Sequence, residues 1–310
     1  MNTVVCTLYE GTFDVGAAAL INSLHASGFR GRIVVGYRGP APRWAYAGAD
    51  RAPDAFEYSP VSGIDVEFLR LGTPVHFTVY KPEFMLEVMD RYVDAEAVAY
   101  VDPDIVFKAK WWFVEDWIAA GVALVEDVNS PFSLTHPKRA AWRRLAESIG
   151  LHYAPREEFY VNGGFVGLTR GRLGFAKMWK DLIDAVRQMN DRVDSDGMTI
   201  SEDPNYYLRL PDQDCLNIAT GVFHDYSIIE KPGMDFAPGG NVMSHAIGKD
   251  KPWQRNFLKT LVRSGARPRL CDKEFWKHTS YPIEIFSPGV RKRRLRQIRV
   301  SSAAGRLLGR

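Results

Sequence analysis

The chain has 310 residues, of which 46% are hydrophobic, which is enough for one large buried core or two smaller ones. The net charge is +3, but the last twenty residues carry eight basic side chains and no acidic one, which leaves the remainder at −5. This distribution argues against a nucleic-acid-binding surface on the body of the protein.

The sequence shows no sign of export or of membrane insertion. No stretch approaches about 18 consecutive apolar residues, and the opening MNTVVCTLYEG lacks the basic start and apolar core of a signal peptide. We therefore expect a cytoplasmic protein. Cys6, Cys215 and Cys271 are far apart and match no metal-ligand or redox spacing, so reduced structural thiols are predicted.

The first third of the chain alternates strand and helix patterns. An apolar run at 3–9 predicts a strand, and Asp14 is a candidate cap for a helix that ends at Gly28. Further strands are predicted at 32–37 and 64–71. A strand, a helix and a strand in this order predict parallel pairing with a crossover helix.

The same alternation continues towards the C-terminus. Helices are predicted over EFMLEVMDRYV, 137–150, 171–189 and from Asp212, and strands over AVAYV, 121–128, 159–168 and VFHDYSII. The polar segment 190–205 is predicted to be a mobile loop. Together these patterns predict one α/β domain with a central, mostly parallel sheet flanked by helices.

Two carboxylates stand where a buried strand ends. Asp102 and Asp104 flank Pro103 directly after the apolar run AVAYV. Carboxylates in this spacing suit a hard cation such as Mn²⁺ or Mg²⁺, and ligands of open α/β sheets bind at the carboxyl ends of the strands. The same tripeptide is also typical of a capped turn shaped by its proline. This stretch alone leaves both interpretations open.

A third candidate ligand lies far along the chain, in MSHAIGKDKPW. His245 offers an imidazole, Lys251 offers a point charge to phosphate, and Gly248 permits a close approach of the backbone. With Asp102 and Asp104, this stretch predicts a three-ligand site for a metal and a diphosphate.

Four motifs in chain order, YVDPDIV, VNGGFVGL, DQDCLN and HAIGKDKPW, carry a resemblance to a known family. The chain resembles the nucleotide-sugar-dependent glycosyltransferases of the GT-A fold, most closely family eight, the retaining galactosyl- and glucosyltransferases related to glycogenin. The resemblance implies a single Rossmann-like domain at 1–285. It comprises a nucleotide-binding half at 1–105 and an acceptor and metal-closing half at 106–255, and the basic tail at 286–310 follows.

The resemblance also implies an activity. The enzyme would move a hexose from a nucleoside diphosphate sugar, with UDP as the family default, to a glycan, a glycolipid or another hydroxyl acceptor, with retention of anomeric configuration. Asp102, Asp104 and His245 would bind Mn²⁺ or Mg²⁺, and Lys251 and the Gly248 backbone would hold the donor diphosphate.

The resemblance assigns the remaining polar residues to the sugar and acceptor pocket. Asn162, Asp212 and Gln213 would line it, and Asp214 would orient it from behind. Asp212 and Gln213 would lie near the reacting anomeric carbon, as nucleophile or as electrostatic support. The DQD stretch is also compatible with a helix start whose acids suit the helix dipole.

The nucleoside contacts depart from the family pattern. The stretch TLYEGTFDVG offers Thr7, Tyr9 and Phe13 for hydrogen bonding and base stacking, although Tyr9 and Phe13 also fit a core. The family has an arginine nearer the metal motif, whereas here Lys81, 21 residues before Asp102, is the candidate for this donor contact, with a solvated lysine as the alternative. We interpret these differences as a divergent branch of the family.

Two further features carry weaker hypotheses. Glu126 and Asp127 also end a strand, and they are candidates to touch the donor sugar. The tail places Leu295, Ile298 and other apolar residues among arginines. This pattern is compatible with a basic amphipathic helix on an anionic membrane, at its inner face, or with a solvated and partly disordered end.

Two other functions remain open at this point. A sugar nucleotidyltransferase would normally show a glycine-rich basic signature after its first strand, and TLYEGTFDVG has none. A non-catalytic module that binds a nucleotide sugar or a glycan could keep the metal site and lose the reaction. Hydrolysis or transfer of the donor would discriminate between such a module and an enzyme.

Overall fold

The computed structural model describes residues 1–46, 52–189, 203 and 205–307, and ten strands are found in this part of the chain. They are β1 (Thr3–Glu10), β2 (Gly31–Arg38), β3 (Ala55–Val61), β4 (Ile64–Arg70), β5 (Ala97–Val101), β6 (Ile105–Phe107), β7 (Val122–Glu126), β8 (Val161–Thr169), β9 (Tyr226–Ile229) and β10 (Met243–His245). The predicted loop at 190–205 falls almost wholly outside the described residues.

Eight of these strands form one sheet in the order β3-β4-β2-β1-β5-β8-β7-β9. Strands β4, β2, β1 and β5 run parallel, as do β7 and β9, which confirms the mostly parallel sheet. β8 runs antiparallel between β5 and β7, and β3 is an antiparallel edge strand. β6 and β10 form a separate antiparallel pair.

Nine α-helices lie in the described residues. They are α1 (Asp14–Ser27), α2 (Phe77–Arg91), α3 (Trp111–Ala120), α4 (Pro137–Ser148), α5 (Leu173–Met189), α6 (Pro211–Thr220), α7 (Phe257–Ser264), α8 (Leu270–Lys277) and α9 (Pro288–Leu307). Asp14 is the first residue of α1 and does not cap it by its side chain, because Phe13 occupies the cap position. α1 ends at Ser27, and the following Gly28 is left-handed with a φ of 95°.

Apolar side chains fill both faces of the main sheet. One layer packs residues of α2, α4, α5 and α6, such as Phe84, Trp142 and Trp179, against the strands. The other packs residues of α1 and α3, such as Leu20 and Trp117. Burial on both sides explains why the parallel strands are continuously apolar. All three cysteines are free and buried, as predicted.

The C-terminal helix α9 covers a third, smaller cluster. Its Ile298 is buried with Trp253 and Trp276, and Leu295 packs beside it. Residues 288–307 therefore form an amphipathic helix that is part of the folded body. None of the helices in the described part of the chain combines the length and the apolar character that a membrane crossing requires.

A buried asparagine joins α1 to the segment between α8 and α9. Asn22 is completely buried, and its amide nitrogen donates to the carbonyl oxygens of His278 and Ile283 at 2.9 Å each. Its amide oxygen accepts from the Ile283 N–H at 2.8 Å. One side chain thus satisfies three backbone groups that have little access to water.

Asn22→Ala is expected to lower the free energy of unfolding by about 2–4 kcal/mol, because the buried backbone groups lose their partners. Urea unfolding followed by tryptophan fluorescence measures this change. Asn241→Ala, at an exposed position, is the control and should stay within about 0.5 kcal/mol of the parent. Equal changes in the free energy of unfolding in the two variants would contradict this role of Asn22.

Candidate functional site

Backbone pairing brings the two ends of the candidate metal site together. Asp102 and Asp104 occupy the turn between β5 and β6, and β10 lies antiparallel to β6 with His245 opposite Ile105. The Asp102 N–H donates to the Gly164 carbonyl at 2.7 Å, and the Ala246 N–H donates to the Asp104 carbonyl at 3.1 Å. The ligand positions are therefore fixed by main-chain hydrogen bonds.

The three side chains converge on one point. Candidate ligand atoms of Asp102, Asp104 and His245 all lie within 4.8 Å of one another. His245 Nε2 is 3.3 Å from Asp104 Oδ1 and 3.9 Å from Asp102 Oδ2. Opposite ligands of an ion with bonds of about 2.1 Å are about 4.2 Å apart, so both distances suit a shared cation.

The donor set also fits a divalent ion. Two carboxylates and an imidazole are suitable ligands for Mn²⁺ and, with less preference for the nitrogen, Mg²⁺. The buried Nδ1 of His245 has no hydrogen-bond partner among the described residues. No hydrogen bond within the described residues therefore holds the ring at Nδ1, and Nε2 already faces the two carboxylates.

Two glycines leave the space that this arrangement needs. A Cβ at Gly164 would lie 2.6 Å from His245 Cε1 and 2.8 Å from Asn162 Oδ1. A Cβ at Gly16 would lie 2.3 Å from the Pro103 carbonyl oxygen. Pro103 lies in the turn 102–104 between β5 and β6, which we call the metal-motif turn. The motif VNGGFVGL includes Gly164, whereas sequence reasoning missed Gly16, which looks like an ordinary member of an apolar helix.

Lys81 connects the metal-motif turn to β8 and α6. Its ammonium is buried 3.0 Å from Asp102 Oδ1, 2.9 Å from the Gly163 carbonyl oxygen and 3.6 Å from Asp212 Oδ2. Burial alone would lower the pKa of Lys81, but the Asp102 and Asp212 carboxylates outweigh it and raise the pKa above its usual value. Lys81 is therefore a charged, buried residue and not a solvated lysine.

Lys251 neutralises the second aspartate. Its ammonium donates to Asp104 Oδ2 at 2.5 Å and to the Ala246 carbonyl at 2.8 Å, and it lies 5.4 Å from the centre of the Phe13 ring. Burial would raise the pKa of Asp104, but His245 and Lys251 hold it well below its usual range. Asp104 is therefore ionised, with Oδ1 directed towards His245.

Asp102 has a third partner that the sequence did not indicate. The Tyr100 hydroxyl donates to Asp102 Oδ1 at 2.9 Å. Tyr100 lies inside the apolar run of β5, where a tyrosine is indistinguishable from ordinary core. Its contact leaves Asp102 Oδ2 as the oxygen that faces His245 Nε2.

The opposite wall is a hydrogen-bonded set on β8 and α6. Asn162 Nδ2 donates to Asp127 Oδ2 at 2.7 Å and to Gln213 Oε1 at 3.3 Å. Gln213 Oε1 also accepts from the Gly163 N–H at 3.1 Å. Burial raises the pKa of Asp212, and the Lys81 charge offsets only part of that rise. Asp127 belongs to this wall, and it is held by Asn162.

These residues line one cleft of about 620 Å³. The sequence-predicted site residues that the cleft brings together are Tyr9, Phe13, Lys81, Asp102, Asp104, Asn162, Asp212, Gln213, His245, Gly248 and Lys251. Gly248 has a φ of 89°, which a side chain would disfavour.

Three predicted residues lie outside the cleft lining: Thr7, Asp214 and Glu126, which accepts from the Ser130 hydroxyl at 2.8 Å. Thr7 is fully buried within β1, so its hydroxyl does not reach the lining. Asp214 faces a second cavity, where its carboxylate accepts from the Tyr160 hydroxyl at 2.8 Å and the Leu210 N–H at 2.9 Å. Burial raises the pKa of Asp214 to about 7.

Comparison with known proteins rests on structure alone, since neither a protein-family model nor a curated sequence matches the chain. The galactosyltransferase LgtC, in complex with donor and acceptor sugar analogues, has a TM-score of 0.51 at 13% identity, over 93% of this chain and 99% of its own. The glycosyltransferase GlyE of Streptococcus pneumoniae TIGR4 has a TM-score of 0.51 at 15% identity, over 89% of this chain.

The chain has the fold of these glycosyltransferases. The GT-A architecture predicted above is thereby confirmed, with its mostly parallel sheet and flanking helices. The chain spans 60% of the GlyE structure and 51% of the bifunctional glycosyltransferase WbbM, which matches with a TM-score of 0.48. At these identities the likeness concerns the fold.

Gly164→Ala is expected to weaken Mn²⁺ binding about 10–100-fold, because the new methyl group displaces the His245 ring. Titration of Mn²⁺ followed by electron paramagnetic resonance measures the affinity. Gly163→Ala is the matched control in the same strand, since its Cβ would be 3.4 Å from the nearest atom, Asp212 Oδ2. Equal Mn²⁺ affinities of the two variants would contradict this role of Gly164.

Proposed function

We propose that the protein is a metal-dependent glycosyltransferase that moves a hexose from a nucleoside diphosphate sugar to a hydroxyl acceptor. The observation that carries this proposal is the convergence of Asp102, Asp104 and His245 within 4.8 Å, in one cleft with Asp212 and Gln213. A UDP-sugar is the proposed donor, and a glycan, a glycolipid or another hydroxyl compound is the acceptor.

The donor diphosphate lies at the metal end of the cleft. Asp102, Asp104 and His245 would hold Mn²⁺ or Mg²⁺, and the bound ion supplies Lewis-acid stabilisation of the leaving nucleoside diphosphate. Lys251 adds a positive charge at the same place, and the left-handed turn at Gly248 lets backbone approach the phosphates. These groups stabilise the negative charge that develops on the nucleoside diphosphate as it leaves.

The sugar lies against the opposite wall. Asn162, Asp212 and Gln213 line it, and the hydrogen bonds among Asn162, Gln213 and Asp127 hold the amides in place. Asp212 acts on the anomeric carbon as nucleophile or as electrostatic support, and Asp214 supports the start of α6 from behind. Retention of configuration rests on the family resemblance.

The nucleoside lies near the end of β1. Tyr9 and Phe13 line the cleft, so we assign them to the base, whereas Thr7 is held behind them in the strand. Lys81 contributes through its contacts with Asp102 and Asp212, which bring the metal and sugar ends of the cleft together. The base itself is assigned as uracil by the resemblance.

A donor screen tests the proposal. Nucleotide release from UDP-, GDP-, CDP- and ADP-hexoses is measured with Mn²⁺ and with a chelator. We expect release from a UDP-hexose in Mn²⁺ and its loss on chelation, because the diphosphate contacts depend on the ion. Donor binding without release in any condition would instead support a non-catalytic binding module.

Substitutions of the proposed metal ligands test the metal site directly. Asp104→Ala and His245→Ala should each weaken Mn²⁺-dependent UDP binding at least about tenfold by calorimetry, since each removes one of three ligands. Asp225→Ala, which removes an exposed carboxylate paired with Arg172, is the control and should leave UDP binding unchanged. Unchanged UDP affinity in the two ligand variants would refute the metal site.

We also propose a peripheral contact between α9 and the inner face of an anionic membrane. Such a contact would suit an acceptor that is linked to a lipid. Lys292, Arg296, Arg299 and Arg306 are exposed along α9, and Leu307 is 89% exposed at its end. Basic side chains near an anionic surface each contribute about 1 kcal/mol to attraction. Ile298 faces the opposite way, into the third core cluster.

The variant Lys292→Glu/Arg296→Glu/Arg299→Glu should abolish salt-sensitive sedimentation with phosphatidylserine vesicles. It keeps Ile298 in the core, which a deletion of the helix would remove. Arg143→Glu/Arg144→Glu/Lys177→Glu reverses three exposed charges elsewhere and should sediment like the parent. Absence of vesicle binding by the parent chain would dispose of the membrane contact.

A further inference from the structure

A groove of about 370 Å³ runs along one face of the C-terminal helix, and we call it the α9 groove. The residues that line it all belong to α9: Pro288, Arg291, Lys292, Leu295, Arg296 and Arg299. At 3.6 residues per turn these positions fall within about 140° around the helix axis, so they form one face. Ile298, which is buried in the third core cluster, lies outside this face.

The α9 groove is positively charged and has no counter-charge of its own. α9 contains no aspartate or glutamate. The four basic side chains that line the groove form no ion pair or side-chain hydrogen bond with any residue that the structure describes. Lys292 and Arg296 are four residues apart, a spacing at which like charges weaken a helix. An anion bound between these side chains would remove that repulsion.

One hydrogen-bond donor of the groove is withdrawn from water without a partner. Arg291 Nε is buried, and it donates to no atom within the described residues. A buried N–H group of this kind requires an acceptor, and an oxygen of a bound phosphate would supply it. Arginine is also suited to this ligand, because its planar fork of N–H groups matches the oxygens of a phosphate in pairs.

The lining also has an apolar part. Pro288 and Leu295 lie among the cations, and Leu295 packs against the third core cluster. Leu307, at the end of the same helix, is 89% exposed. A membrane lipid offers an anionic headgroup together with apolar chains, whereas a soluble phosphate compound offers only the anion. The combination on α9 therefore favours the headgroup of a lipid.

The number of cations distinguishes between kinds of headgroup. A phosphomonoester has three free oxygens and carries a charge of about −1.5 to −2 at pH 7. A phosphodiester, which joins the headgroup in most lipids, has two free oxygens and a single negative charge. Four basic side chains around one groove match the charge and the acceptor oxygens of the phosphomonoester better.

We propose that the α9 groove binds the phosphomonoester headgroup of a membrane lipid, with Arg291 and Arg296 as the forked donors. Lys292 and Arg299 add point charges on the same face. The site rests on the membrane contact proposed above for α9, and it is independent of the transferase reaction. It adds the recognition of one headgroup to an attraction that otherwise depends on surface charge alone.

Sedimentation with two kinds of phosphatidylcholine vesicle tests the site. One contains phosphatidic acid and the other phosphatidylserine, in amounts that give equal zeta potentials. We expect the full chain to bind the phosphatidic acid vesicles at least about tenfold more tightly, the effect of a charge-assisted hydrogen bond. Arg291→Gln/Arg296→Gln should reduce this preference to about one. Arg293→Gln/Arg306→Gln removes two exposed charges of α9 outside the groove lining, so it should weaken binding to both vesicles and keep the preference.

Three results would overturn the site: equal binding of the two vesicles by the parent, a preference that survives in the groove variant, or its loss in the control variant. Equal binding by the parent would still leave the general membrane contact of α9 standing, whereas absence of binding to either vesicle would dispose of both. Calorimetry with glycerol 3-phosphate tests the source of the phosphate, since binding as tight as that of phosphatidic acid vesicles would overturn the assignment to a lipid. UDP titration in Mn²⁺ reports on the transferase proposal separately, because neither variant changes a residue that lines the cleft.

Discussion

The site depends on one buried ammonium group. Lys81 projects from α2 and meets Asp102 after β5, the Gly163 carbonyl on β8 and Asp212 on α6. A buried charge without partners costs several kcal/mol, so folding favours only arrangements in which these groups surround it. The same requirement sets the metal-motif turn against the wall that carries Asn162 and Gln213. The cluster of Asp102, Asp104 and His245 and the opposite wall of the cleft are therefore fixed relative to each other by one electrostatic constraint.

Strand pairing extends this constraint to the far end of the chain. β6 and β10 each have three residues, yet their antiparallel register puts His245 beside the metal-motif turn. Lys251, a few residues later, then meets Asp104, and the following segment packs Trp253 against α8 and α9. The last helix thus stabilises the loop that carries Lys251. An apolar cluster remote from the cleft thereby helps to hold Lys251 beside Asp104.

Periodicity and motif order were sufficient for the α/β class, the mostly parallel sheet and most of the cleft lining. They could not give the direction of β8, because an apolar run looks the same whether its neighbours are parallel or antiparallel. Three-residue strands such as β6 and β10 are too short to show a period. Tyr100 and Gly16 were missed for a related reason, since their roles lie in contacts between segments and not in local pattern. Thr7 is the opposite case: the sequence made it a candidate for the nucleoside site, but the pleat of β1 directs its side chain into the core.

The close approaches at Gly164 and Gly16 impose a rule on sequence variation. Any side chain at position 164 collides with the imidazole of His245, and any at position 16 collides with the backbone of the metal-motif turn. A related chain that keeps the Asp-x-Asp and histidine residues must have moved the histidine ring if it carries alanine or serine at position 164, and its backbone if it carries either at position 16. These two glycines therefore offer a filter for choosing, among distant sequences, those that retain this geometry. Such a filter relies on excluded volume, which is independent of the chemistry of the ligands themselves.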